Sequence, residues 1–152
     1  MTHNQCEVVN ATKVAEVFVN ELKKKIKANN LKPKLVGFLA NDDPSAVTYA
    51  NWTGKSCSVI GIEFELIKLK REELEEAILR ANKDESVNGI MVYYPVFGGG
   101  FDQYLQNICS SYKDVEGLSH SYRFNMYHNI RWVLVNEKVW KYYTVQTSIT
   151  AD

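Results

Sequence analysis

The residues with the types and spacing to do chemistry cluster in a few places along this 152-residue chain. Tyr49 and Thr53 are four residues apart in a helical stretch and so share one face. Asp42-Asp43-Pro44 follows a short apolar run. There the carboxylates read as turn and N-cap groups, and the proline suits a first helical turn. Lys113-Asp114-Val115-Glu116-Gly117 reads as a turn. A carboxylate in it can cap the following segment, or it can accept two neighbouring N–H groups of a ligand at once. His120 and His128 are eight residues apart with no third ligand in view, which does not make a zinc pair. Cys6, Cys57 and Cys109 are odd in number and form no CxxC pair, so they read as reduced thiols rather than a disulfide framework. No Ser-His-Asp or Cys-His arrangement can be built, and the glycine cluster Gly98-Gly99-Gly100 does not match GxGxxG spacing.

The elements that must position these groups follow from hydrophobic periodicity. Residues 11–29 carry Val14, Val17, Phe18, Leu22 and Ile26 at three- and four-residue steps, which predicts a helix with a solvated lysine face. Residues 34–40 form an apolar run of the length of a buried parallel strand. A second helix runs over 44–60, with Gly61 as its C-terminal glycine. Residues 62–69 alternate Ile62, Phe64, Leu66 and Leu69 with Glu63, Glu65 and Lys68, which predicts a half-exposed strand near a sheet edge. A third helix covers 71–82, acidic at its start and basic near its end. A buried strand covers 89–94, stopped by Pro95, and a short helix covers 101–111. The stretch from the KDVEG turn to Trp132 reads as irregular and aromatic. This alternation predicts an α/β fold, a three-layer α/β/α sandwich around a mostly parallel sheet. Ligands of such sheets sit beyond the carboxyl ends of the strands, where NDDPSAVTY, YYPVFGGG and KDVEG all fall.

Bulk properties narrow the classes. The chain is 45% hydrophobic and 24% charged with zero formal net charge, the composition of a globular domain. Zero charge gives no electrostatic case for nucleic acid or an anionic membrane. The N-terminus has no charged region followed by an apolar one, so no signal peptide is expected. No run approaches membrane-span length, and a cytoplasmic location is expected. The nine tyrosines supply core, and also flat walls for planar ligands.

Three blocks together resemble the signatures of the methylenetetrahydrofolate dehydrogenase/cyclohydrolase family: Asn41-Asp42-Asp43-Pro44-Ser45 with Tyr49, Val92-Tyr93-Tyr94-Pro95, and Lys113-Asp114-Val115-Glu116-Gly117. The likeness spans about residues 11 to 130. It implies a tetrahydrofolate dehydrogenase/cyclohydrolase N-terminal catalytic domain at 11–132 and an atypical tail at 133–152. It also implies a reduced folate, 5,10-methylenetetrahydrofolate, as ligand. Tyr49, Tyr93, Pro95 and Glu116 would bind it, with Glu116 anchoring the pterin. The catalytic positions carried over are Tyr49 and Thr53, the latter standing where the family has a lysine. For Tyr93 the alternative is packing, and for Glu116 a turn carboxylate. Tyr93 stands in place of a glutamine and Glu116 in place of an aspartate. This combination resembles the fungal monofunctional NAD-dependent branch, which oxidises the methylene group and is not expected to hydrolyse the methenyl product. Threonine has no cation and no base near neutral pH to replace the lysine. Lys55, about 200° round the helix from Thr53, reads as a surface lysine.

The family's reaction uses NAD, because no side chain accepts a hydride, and no metal. Its cofactor site lies in a Rossmann domain after the folate half, and no such segment is read in this sequence. Gly98-Gly99-Gly100 reads as a flexible loop at the cleft mouth. The tail lacks the family's Pro-Cys-Thr-Pro segment, which fits a truncated product. Its Val139, Trp140, Tyr142, Tyr143, Thr144 and Val145 are strand formers. The alternatives are a non-catalytic module that binds folate or pairs with a full-length relative, and an inactive fragment.

Overall fold

A computed structural model describes residues 8–130 in full and the backbone of 132–135 and 138–141. Three parallel strands form the sheet: β1 (Lys34–Leu39) at its centre, flanked by β2 (Glu63–Lys68) and β3 (Gly89–Val92). Val36 pairs with Glu65 on one side and Ile90 on the other. β1 is a central parallel strand with helices over both faces, which is why it reads as an unbroken apolar run. The alternating β2 is the edge strand its pattern predicted.

The pleat splits the core in two. Val36, Phe38, Ile90 and Val92 pack under α3 (Leu74–Lys83) and α4 (Gly100–Ile108), through Leu74, Ile78 and Leu105. Leu39, Met91 and Tyr93 pack under α2 (Pro44–Ile60), through Ala50 with Ala46 and Val47. Helices thus cover both faces, as the three-layer expectation required. Close packing explains Gly37, where an added Cβ would lie 2.9 Å from the Phe64 ring and 3.2 Å from the Tyr93 ring. Asp43 caps α2 by accepting from Ser45 N–H at 2.8 Å, and Gly61 ends it at φ 95°.

The structure departs from expectation in several places. Helix α1 (Ala11–Ala28) forms with Asn10 as its cap, yet its apolar stripe of Val14, Val17, Phe18 and Leu22 is exposed and none of its residues is buried. The Lys113–Glu116 segment is more than a turn. Ile90 N–H donates to Lys113 O at 2.6 Å, and Ile90 bridges Asp114 in parallel, so the segment lies along the free edge of β3. The Lys113 ammonium donates to the carbonyls of Ala81 and Asp84 and serves to hold this segment. The aromatic stretch contains a helix, α5 (His120–Tyr127), with no buried residue to leave a periodic signature. Beyond it, β4 (Trp132–Val135) and β5 (Lys138–Lys141) form an antiparallel hairpin. Val139 and Trp140 are in a strand as expected, while Tyr142, Tyr143, Thr144 and Val145 lie outside the described residues.

The glycine loop is pinned rather than loose. The Asp102 carboxylate, 6% exposed, accepts the backbone N–H groups of Val96, Phe97 and Gly98 at 2.9–3.1 Å. Three charge-assisted hydrogen bonds to one carboxylate fix the loop.

Candidate functional site

At the carboxyl ends of β1 and β3 the chain must separate, and Asn41 governs how. Its side-chain N–H2 donates to the carbonyls of Tyr93 at 2.8 Å and Pro95 at 3.0 Å, while its oxygen accepts from Asp43 N–H at 3.2 Å. This clamp holds the start of α2 against the end of β3. Between them opens a cleft of about 320 Å³ lined by Asp43, Ser45, Ala46, Tyr49, Val92, Tyr93, Tyr94, Glu116 and Leu118. A shallower recess of about 500 Å³ adjoins it through Ser45 and Tyr49 and reaches Trp52. A larger groove of about 720 Å³ lies at the ends of β1 and β2, bordered by Lys68, Lys70 and Arg71 together with Asp42, Glu72 and Glu73. Its charges are mixed, and it holds none of Tyr49, Thr53, Tyr93, Pro95 and Glu116.

The structure brings Tyr49, Tyr93 and Glu116 together. Tyr49 is 54% exposed and forms one wall. Tyr93 meets it edge-on, with ring centroids 5.6 Å apart and planes at 90°. Tyr93 is only 3% exposed and belongs to the α2 core, so the packing role and the lining role coincide. Its buried hydroxyl faces the Thr53 side chain, which partly offsets the upward push of burial on the phenol. Thr53 lies one turn below Tyr49, donates its hydroxyl to the Tyr49 carbonyl at 3.0 Å, and supplies no charge. Pro95 follows a cis peptide, is exposed, and is not part of the lining; its carbonyl is taken by Asn41. The chain turns away from the cleft at that point, and Tyr94, quoted in the sequence block but given no role there, lines the cleft instead. Lys55 sits over the Trp52 ring, 5.0 Å from its centroid, outside the cleft lining.

Glu116 forms the floor of the cleft. The residue as a whole is exposed, and it is the carboxyl end that the cleft walls partly desolvate. Burial, then the neighbouring Asp114 charge, push it up to about 7, against a smaller opposing effect of the Val92 backbone. Solvent access through the cleft screens such effects. Asp114 holds the turn: its carboxylate accepts the N–H groups of Gly117 at 2.8 Å, Leu118 at 3.3 Å and Ser119 at 3.1 Å. Gly117 takes φ 63°, a left-handed conformation that favours glycine. The charged side chains of the lining, Asp43 and Glu116, are both acidic.

Other candidates fall into structural places. Burial pushes the Cys57 thiol up, and burial followed by nearby carboxylates pushes Cys109 up to about 12. Both stay protonated near neutral pH and are poor nucleophiles. The His128 ring stacks on Phe124 at 4.0 Å. Among the described residues no three His, Cys, Asp or Glu side chains converge as metal ligands. No described helix is long and apolar enough to cross a membrane.

An aromatic, acidic cleft beyond the strand ends is where parallel-sheet α/β domains hold their small-molecule ligands. The family described as tetrahydrofolate dehydrogenase/cyclohydrolase, catalytic domain, matches residues 9–116, and the chain belongs to it. It is 55% identical over 129 residues to methylenetetrahydrofolate dehydrogenase [NAD(+)] of Schizosaccharomyces pombe, covering 85% of this chain and 40% of that protein. The enzyme of the same name from Dictyostelium discoideum is 50% identical over 125 residues, with 82% and 40% covered. Among solved structures, the NAD-dependent 5,10-methylenetetrahydrofolate dehydrogenase of Saccharomyces cerevisiae superposes with TM-score 0.76 at 48% identity, covering 86% of this chain and 43% of that one. The chain thus spans about two fifths of the length of these relatives.

Proposed function

We propose that this chain is the folate-binding half of an NAD-dependent 5,10-methylenetetrahydrofolate dehydrogenase in one-carbon metabolism. One observation carries the reading: a carboxylate at the floor of a cleft walled by Tyr49. A reduced pterin presents an amino group and a ring N–H side by side. Glu116 can accept both, and this fixes the ring in one orientation. Tyr49 offers a face to the ring system, and Tyr93 backs Tyr49 edge-on. The similarity to NAD-dependent relatives supports the choice of cofactor.

The nicotinamide supplies hydride acceptance, and the described residues do not fit it. Phosphate is cradled by free backbone N–H groups at a glycine turn. In the loop that carries this chain's glycine cluster, the N–H groups of Val96, Phe97 and Gly98 are already committed to Asp102. On this reading the cofactor sits on another domain or on a full-length relative acting as partner. What this chain contributes is binding, orientation and partial exclusion of water around the pterin. Loss of cyclohydrolase activity belongs to the same proposal: Thr53 brings no cation, and the lining offers none. A cytoplasmic location fits this metabolic role.

Titrating 5-formyltetrahydrofolate into the purified chain and into Glu116→Ala tests the reading. Saturable binding that the substitution abolishes is expected. The chain alone should not oxidise methylenetetrahydrofolate with NAD, and turnover by it would overturn the division of labour.

A further inference from the structure

Glu116 has a second side. Behind it lies a small, partly open space of about 10 Å³ lined by Ile90, Val92, Tyr94, Gln106, Cys109, Asp114, Glu116 and Leu118. Four of these, Val92, Tyr94, Glu116 and Leu118, also line the cleft, so they form a thin partition between the two spaces. The side-chain oxygen of Gln106, on α4, is buried there and accepts no hydrogen bond. A buried carbonyl without a donor costs about 1–3 kcal/mol, so such atoms are normally served. The space matches about one water molecule, and a water needs two or more polar partners. Gln106 and Glu116 both accept, and a water has two O–H groups to give. We propose that Gln106 is a positioning residue for Glu116: one water in the rear space donates to the Gln106 carbonyl and to the ionised Glu116 carboxylate. The water thereby holds that carboxylate charged and aimed into the cleft.

The groups facing Glu116 all disfavour or ignore its charge. They are Asp114 on its own turn, Tyr93 and Tyr94 from the end of β3, Tyr49 from α2 and Cys109 from the end of α4. The opposing contribution is the backbone of Val92. A donor from behind adds a second. Hydrogen bonding to the charged form of an acid favours that form, so without Gln106 the carboxyl should take up its proton at higher pH.

The role of Gln106 in aiming the pterin anchor rests on the folate reading; its role in holding the charge does not. The test separates them. Carbon-13 NMR of the Glu116 carboxyl across pH reads its ionisation in the ligand-free chain. In Gln106→Met, which keeps the length and drops the carbonyl, the midpoint should rise by about half to one unit. Gln106→Asn, which draws the carbonyl back, should raise it by less, and serves if Gln106→Met does not fold. A midpoint that does not move in a folded variant overturns the proposal. Titration with 5-formyltetrahydrofolate then reads the consequence. Affinity at pH 7 should fall about two- to fivefold in Gln106→Met, because the wild-type carboxyl is already half protonated there, and return to the wild-type value near pH 9. Equal weakening at every pH would mean a packing defect and would also overturn it. If wild type binds no reduced folate, the folate reading fails while the carboxyl titration still decides the role of Gln106.

Discussion

Lowering the pH from 8.5 to 5.5 should release a reduced folate from this cleft. Glu116 anchors the pterin only as a carboxylate, because the protonated acid loses one of the two acceptors that the amino group and ring N–H need. Burial and Asp114 raise this acid to about 7, so its charge changes within the experimental window. The sign is fixed. Above 7 the group is ionised and binding is at full strength; below 7 each unit of pH costs up to tenfold. Between pH 8.5 and 5.5 the dissociation constant should rise by at most about 30-fold, the limit in which the neutral form does not bind and solvent screening does not soften the change. Isothermal titration with 5-formyltetrahydrofolate suits the assay, since its own groups titrate outside this range. Glu116→Gln, which keeps the shape without the charge, should bind weakly and show no pH dependence. A wild-type affinity that is flat over this range, or that strengthens toward acid, would refute the reasoning.

The same group should mark stability. Its folded value, about 7, lies above the ordinary 4.5, so the folded chain holds an extra proton between them. That contribution is complete below 4.5 and is lost as pH rises through 7, so denaturant unfolding should show Glu116→Gln gaining stability on wild type at pH 8 relative to pH 5. Asp102→Ala strips three loop N–H groups of their acceptor. It should destabilise the chain by about 3 kcal/mol in the same assay, with Asp102→Asn milder. Gly117→Ala forces a side chain into φ 63°. It should cost about 1 kcal/mol and weaken folate binding by displacing Glu116, read by thermal melting and titration together.

Sequence patterning resolved what repeats along an element. The buried strand β1, the alternating edge strand β2 and the capped helix α2 each leave a periodic or terminal signature, and each stands where that signature put it. α5 leaves no apolar stripe of that kind, because no residue of it is buried; its helically spaced His120, Phe124 and His128 are a row of partly exposed rings. α1 shows the converse limit: its apolar stripe predicts the helix correctly but cannot say that Val17 and Phe18 stay exposed. Of the site, the blocks around Tyr49, Tyr93 and Glu116 were legible, and the structure brings them to one cleft. The Asn41 clamp, the lining role of Tyr94 and the buried Gln106 oxygen were not, because each depends on chain segments that meet only after folding. Pro95 was placed on the site by its neighbours in sequence, and the turn of the chain carries it out of the lining.

Whether Glu116 holds the pterin of a reduced folate beneath Tyr49 is decided by a crystal structure of the chain with 5-formyltetrahydrofolate. The pterin amino nitrogen and the adjacent ring nitrogen should each lie about 3 Å from a Glu116 carboxylate oxygen, with the ring against Tyr49. A folate bound elsewhere, such as in the groove beside Arg71, or bound in the cleft with its pterin turned away from Glu116, would contradict it.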